Sequence, residues 1–178
     1  MGLFARSLRD LGQHVTSEHG GRFASVVQAA GGQAEELVRV LSRWDSFADV
    51  SSYGSIEVPF LKRAQIAAAD LARAGVGALA GLDRLTMFAD NLVPHVLRLD
   101  GVLRFDPALV GRIERGELLE HGSAPEVEIR ACALRAVELI VHARDGTTAA
   151  EIDHLLWNRG QRPEYKSVPR HRSRCTAY

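Results

Sequence analysis

Cysteine, aromatic residues and net charge are all scarce in this chain of 178 residues. Only Cys132 and Cys175 are present, so a disulfide framework is not expected, and a reducing, cytoplasmic environment fits better. Aromatic residues make up 6% of the chain, and 22 Lys and Arg residues balance 22 Asp and Glu residues. Zero formal net charge argues against a general nucleic-acid binder, which needs a basic surplus to attract phosphates.

Long hydrophobic runs and short catalytic motifs are missing as well. No apolar run reaches the roughly 20 residues that a membrane-spanning helix requires, so no membrane partner is expected. The seven histidines are scattered without metal-ligand spacing, and no metal site is predicted. Gly75-Val76-Gly77 lacks the preceding strand of a dinucleotide fingerprint, and no nucleophile-elbow, Walker or kinase motif occurs.

Helical periodicity is what the sequence does contain. Apolar residues make up 46% of the chain, enough for one domain with a real core. Their spacing predicts an all-α domain of seven or eight helices, among them residues 23–30, 59–74, 86–99, 108–115 and 126–144. Residues 45–58 are predicted to be a loop, with at most a short extended piece at 55–58.

Proline and capping signals set the expected helix boundaries. Pro59 is predicted to open a helix from a first-turn position, and Pro94 to kink or split the helix over residues 86–99. Asp106 precedes Pro107 as an expected N-cap. Capping boxes are predicted for Ser123 with Glu126 and for Thr148 with Glu151.

Asp90 is the residue that fits this pattern least. It lies in LTMFADNLVPH, among apolar residues that a helix would bury, and an unpaired buried charge is costly. One interpretation is a cap for the helix segment that restarts around Pro94. The other is a functional carboxylate in an apolar wall.

Other charged residues also allow two interpretations. Lys62 and Arg63 lie near a helix start, where cations oppose the helix dipole; they are either tolerated surface residues or part of an anion site. Glu128 is not clearly placed on the outer face of its helix. Asp153 faces either solvent or a pocket, and Trp157 is the expected core residue beside it.

Five blocks in order give this chain a family resemblance. They are FLKRAQI at 60–66, LTMFAD at 85–90, EVEIRA at 126–131, IDHLLW at 152–157 and PRHRSR at 169–174, followed by Tyr178. Together they closely resemble the queuosine salvage proteins, the queuosine 5'-phosphate N-glycosylase/hydrolase family. The resemblance covers about residues 45–178. It implies an all-helical fold similar to helix–hairpin–helix DNA glycosylases, and release of queuine from queuosine 5'-monophosphate without metal or organic cofactor.

The resemblance also implies roles for individual residues. Asp90 would stabilise, or attack, the oxocarbenium-like anomeric carbon, as acids do in glycoside hydrolysis. Phe88 would stack on the base, Lys62 would bind the 5'-phosphate, and Glu128 would meet the cationic amine or the base edge. The weaker candidates, Arg63 and Asp153, would orient these groups.

The chain departs from the family pattern at several points. Leu61, Asn91, Leu92 and His95 differ from the family's usual residues at positions that flank the candidate site. Nothing matches the family's N-terminal half, so the chain is expected to be the C-terminal helical portion of the longer domain. The alternative function is a truncated, non-catalytic helical module that binds a partner, queuine or a nucleic acid, the last through the basic tail at residues 159–174.

Overall fold

The computed structural model describes residues 2–177, and Tyr178, which closes the tail block, lies outside the described residues. About 55% of the chain is helix and 7% is strand, which confirms the prediction of a mainly helical fold. The elements are α1 (Gly2–His19), α2 (Phe23–Ala29), α3 (Ala34–Leu41), β1 (Val50–Tyr53), β2 (Ile56–Pro59), α4 (Lys62–Arg73), α5 (Val93–Leu99), α6 (Pro107–Glu114), α7 (Ala124–His142), α8 (Ala149–Arg159) and α9 (Pro163–Lys166). A 3-10 turn covers Leu82–Arg84.

The chain divides into two compact units. The first unit comprises residues 2–50, Pro59–Leu85 and Ala177, and the second comprises Ser51–Val58 and Thr86–Thr176. None of the helices formed by residues 2–177 combines the length and the apolar character needed to cross a bilayer.

The first unit is built around one face of α3. Ala34, Leu37, Val38 and Leu41 are buried at helical spacing, and this face packs against α4 and α2. Trp44, which follows α3, is 1% exposed and stacks on His14 of α1 at 5.1 Å between ring centroids. The apolar periodicity of the sequence therefore places α2 within one residue of both its observed ends.

The second unit has α5 at its centre. Five consecutive residues, 93–97, are buried, and α5 packs against α7, α8 and α9. A short helix with five buried residues in succession belongs inside a fold, because those residues cover more than one full turn. The buried α5 helix therefore fixes the end of the irregular segment before it, residues 86–92.

Two predicted helix starts are wrong. The α4 helix begins at Lys62, because Pro59 ends β2 and Leu61 leaves the helical region with φ 50°. The α5 helix begins at Val93, and residues 86–92 are not helical. Pro94 stands in the first turn of α5, where its missing N–H costs nothing, so it starts a helix instead of splitting one.

The capping predictions have mixed outcomes. Asp106 caps α6 by accepting hydrogen bonds from the N–H groups of Ala108 and Leu109, and Thr148 with Glu151 forms a complete capping box on α8. Both are confirmed. The Ser123 capping box is wrong, because the Ser123 side chain makes no capping hydrogen bond and Glu126 turns into the protein.

The predicted loop at residues 45–58 contains the β1–β2 hairpin, which the all-α expectation left out. The predicted extended piece at 55–58 corresponds to β2. The basic tail is also structured. It forms α9, and the backbone of Arg172 pairs with Leu118 and Leu119 through a hydrogen bond of 2.9 Å.

Candidate active site

Residues 86–92 form an irregular segment that carries Asp90 into the second unit. Asp90 is 8% exposed. Its Oδ1 accepts hydrogen bonds from the backbone N–H groups of Leu92 at 2.8 Å and Val93 at 2.9 Å. These contacts confirm the interpretation of Asp90 as a cap for the start of α5, although Leu92 occupies the N-cap position itself, and they fix the position of the carboxylate relative to that helix.

Phe88 and Asp153 are brought together at the other side of this segment. Phe88 is half-buried, and its backbone N–H donates to Asp153 Oδ1 at 3.1 Å. Asp153 is 6% exposed because it shares the buried face of α8 with Ala149 and Ile152. The interpretation of Asp153 as a solvent-facing residue is therefore wrong. Trp157, the expected core residue, is 45% exposed.

Arg130, paired with Glu126, also holds this segment, and the sequence analysis assigned neither residue to the site. Both are fully buried on α7. The Nε of Arg130 donates to the carbonyl oxygen of Ala89 at 2.9 Å, and an Nη of Arg130 lies 3.5 Å from Glu126 Oε1. A signal was present, since positions 126, 130, 133 and 137 share one helix face and two of them are charged.

The C-terminal tail supports the segment from a third direction. Asn91 Nδ2 donates to the carbonyl oxygen of His171 at 3.3 Å. His171 is 2% exposed, and burial, reinforced by the nearby charge of Arg130, lowers the pKa of His171 to about 4. His171 is therefore neutral at physiological pH, which suits a side chain placed beside a buried guanidinium.

Glu128 lies apart from these contacts, on the exposed face of α7. Its Oε1 accepts a hydrogen bond of 2.5 Å from the hydroxyl of Tyr53 on β1. This hydrogen bond to a carboxylate raises the pKa of Tyr53, because ionised Tyr53 would face a like charge. Glu128 thus joins the hairpin to α7.

Lys62 and Arg63 belong to the first unit. The backbone N–H of Lys62 donates to Asp49 Oδ2 at 3.2 Å, so a carboxylate already serves this helix start. Arg63 donates to the carbonyl oxygen of Ser46 at 2.8 Å, and its guanidinium lies 5.2 Å from the ring centroid of Phe47. These contacts give Arg63 a structural task within its own unit.

Leu61, immediately before Lys62, has a strained backbone. Among residues 2–177 it is the one non-glycine residue with a positive φ, 50°. The carbonyl oxygen of Asp49 accepts hydrogen bonds from the N–H groups of both Phe60 and Leu61 at 3.0 Å, which holds the turn in place. Such strain costs on the order of 1–3 kcal/mol and is concentrated at ligand sites, which draws attention to Lys62.

Comparison with known proteins places this sequence in a family. A family model described as queuosine salvage protein matches residues 4–178. A queuosine 5'-phosphate N-glycosylase/hydrolase of Sphaerobacter thermophilus is 41% identical to the chain, over 98% of this chain and 57% of the relative. Proteins of the same name from Bos taurus and Mus musculus are each 33% identical, over 97% of this chain and 56% of the relative. The chain spans just over half the length of these relatives.

Proposed function

We propose that this chain hydrolyses the N-glycosidic bond of queuosine 5'-phosphate and releases queuine for reuse in tRNA modification, because it belongs to the queuosine salvage protein family. The relatives carry the name queuosine 5'-phosphate N-glycosylase/hydrolase. The observation that carries the proposal is Asp90, a nearly buried carboxylate held by the backbone of α5.

The chemistry of the bond explains the need for such a group. Cleavage builds positive charge on the anomeric carbon, and a carboxylate beside that carbon stabilises the charge or attacks the carbon. The leaving base is a 7-deazaguanine, which lacks the N7 that purine hydrolases protonate, so most of the burden falls on the carboxylate. Asp90 can carry it, since the apolar residues around it exclude water and strengthen its interaction with a developing cation.

The remaining residues receive supporting roles. Phe88 stacks on the base, a role supported by its half-buried side chain beside Asp90 in sequence. Lys62 binds the 5'-phosphate as a point charge, supported by the strained turn in front of it. Glu128 meets the amine of the substrate, supported by its exposed carboxylate. The contacts of Asp153 with Phe88 and of Arg63 with Ser46 support orienting roles.

We also propose the finer fold and environment that the resemblance implies. The helical units are consistent with a fold similar to helix–hairpin–helix DNA glycosylases. The cysteines are free, which suits a cytoplasmic protein. The substrate is a small nucleotide, and no stable nucleic-acid partner or organic cofactor is part of the proposal.

The decisive experiment uses the full 178-residue chain. Incubation with queuosine 5'-phosphate is expected to release queuine, measured by liquid chromatography, while a denatured sample releases none. Thermal shift distinguishes the alternative of a non-catalytic module. Queuosine 5'-phosphate is expected to raise the melting temperature with increasing occupancy, and a duplex oligonucleotide is not. No release, together with stabilisation by the oligonucleotide alone, contradicts the proposal.

A further inference from the structure

Glu126 and Arg130 present a physical problem that the proposed chemistry does not use. Both side chains are 0% exposed, one helical turn apart on the buried face of α7. Removing two charges from water is expensive, and a buried ion pair is often no more stabilising than apolar residues of the same volume. Burial of the pair therefore has to be explained by what the charges hold in place.

What the guanidinium holds is the peptide next to Asp90. The Nε of Arg130 donates at 2.9 Å to the carbonyl oxygen of Ala89, the residue that immediately precedes Asp90. On the following side, Oδ1 of Asp90 accepts from the N–H groups of Leu92 and Val93. The backbone around Asp90 is thus fixed both before and after the carboxylate.

Glu126 in turn fixes the guanidinium. Its Oε1 lies 3.5 Å from Nη1 of Arg130 and 3.4 Å from Nδ1 of His121, and its Oε2 accepts from the N–H of Gly122 at 3.1 Å. These contacts tie the pair to the turn that precedes α7. The contacts of Glu126 at the start of α7 therefore restrain the long side chain of Arg130 in one direction.

We infer that Arg130, fixed by Glu126, is a positioning residue that holds the carboxylate of Asp90 in its working place. The inference rests on the proposed function of Asp90. A misplacement of about 1 Å in a catalytic group costs on the order of a hundredfold in rate, so a rigid hold on the preceding peptide has a direct use. Lysine cannot replace the hold, because its ammonium lacks the planar fork of N–H donors.

The test compares Arg130→Lys with the wild-type chain. Arg115→Lys is the matched control, since Arg115 pairs with Glu117 at 2.8 Å on the exposed surface of the same unit. Amide hydrogen exchange by NMR reports the N–H groups of Leu92 and Val93, which donate to Asp90. In Arg130→Lys these two amides are expected to exchange about tenfold faster or more, while amides in the middle of α8 keep their protection. The control is expected to match the wild type.

Kinetics provide the second readout. Arg130→Lys is expected to lower kcat for queuine release by about tenfold or more and to leave KM within about threefold, because the loss acts in the transition state. Wild-type protection at Leu92 and Val93, or equal acceleration of every amide in the second unit, overturns the inference. If Arg130→Lys does not fold, Glu126→Gln takes its place with the same expected and contrary results. If the wild type releases no queuine, the proposed function fails, and the exchange comparison still decides whether Arg130 positions Asp90.

Discussion

At the residue scale, Asp90 meets two demands with one carboxylate. It caps α5 through Leu92 and Val93, and it is the proposed charge beside the anomeric carbon. The two demands are separable by substitution. An amide oxygen can accept the same backbone hydrogen bonds, whereas it cannot supply the full negative charge that an oxocarbenium-like transition state needs.

Asp90→Asn is therefore expected to abolish queuine release and to shift the free energy of unfolding by less than about 1 kcal/mol. Asp90→Ala loses the cap as well and is expected to destabilise the protein by roughly 0.5–2 kcal/mol. Liquid chromatography measures release, and chemical denaturation measures stability. An Asn variant within about threefold of the wild-type rate, under 1 kcal/mol of barrier, would leave Asp90 with the capping role alone.

Lys62 offers a second prediction at this scale, since the chain has one other lysine to compare it with, the exposed Lys166. Lys62→Ala is expected to weaken binding of queuosine 5'-phosphate by about ten- to a hundredfold, because a hydrogen bond to a charged group is worth about 1.5–3 kcal/mol. Binding of unphosphorylated queuosine is expected to change little, and Lys166→Ala to change neither. Calorimetric titration measures both ligands, and equal losses for the two would exclude a phosphate contact.

At the scale of elements, the close approach of α8 to α5 depends on Gly160. A Cβ at this position would lie 2.8 Å from Cγ of Leu92 and 2.9 Å from Cγ2 of Val96. The backbone of Gly160 has φ −66°, which alanine adopts freely, so the obstacle is steric and not conformational. Glycine thereby lets the end of α8 pack beside the start of α5, two residues from Asp90.

Gly160→Ala is expected to destabilise the protein by about 1–3 kcal/mol through overpacking. Gly12→Ala in α1 is the contrasting control, because a Cβ there meets no atom within 4 Å and alanine is the better helix former, by about 1 kcal/mol. Urea denaturation measures both variants. A Gly160→Ala protein as stable as the wild type would mean that Leu92 and Val96 yield easily.

The docked tail gives the second unit a dependence on pH. Burial, reinforced by the charges of Arg130, His95 and Arg170, lowers the pKa of His171 from 6.5 to about 4. Burial also lowers the pKa of His95. A histidine that is harder to protonate when folded contributes its full stability above pH 6.5, the unfolded value, and loses that contribution as the pH falls toward 4.

The loss assigned to His171 is about 3 kcal/mol on the scale of 1.36 kcal/mol for each tenfold change in proton affinity. Chemical denaturation of the wild type is expected to show this loss of unfolding free energy between roughly pH 7.5 and pH 4. His171→Asn is expected to flatten the profile, and His154→Asn, at an exposed site, to leave it unchanged. Identical profiles for the wild type and His171→Asn would contradict this assignment.

At the scale of the whole molecule, the chain divides into two units that are mainly helical, and residues 50–59 form one small hairpin. The far-UV circular dichroism spectrum is expected to be dominated by helix, near the 55% of the structure, with a minor strand contribution near 7%. This composition follows from the capping signals and the 3.6-residue periodicity along the chain. A spectrum dominated by strand would contradict both the fold and the prediction made from the sequence.

The sequence by itself determined the features that are encoded locally. Helical periodicity fixed most helices, and the Asp106 and Thr148 caps were predictable because each lies within a few residues of the groups it satisfies. The unusual position of Asp90 could also be recognised from the sequence, because a carboxylate within an apolar stretch is costly to bury. The ordered blocks were enough to predict the family, which the comparisons confirm.

The tertiary structure decided what depends on residues far apart in the chain. Ser123 and Glu126 have the spacing of a capping box, yet Glu126 is buried beside Arg130 and accepts a hydrogen bond from the N–H of Gly122. The non-helical form of residues 86–92 likewise depends on Arg130 and Asp153, which lie 41 and 65 positions from the groups they bind. Such partners leave no local pattern, because a hydrogen bond depends on distance in space and not on separation along the chain.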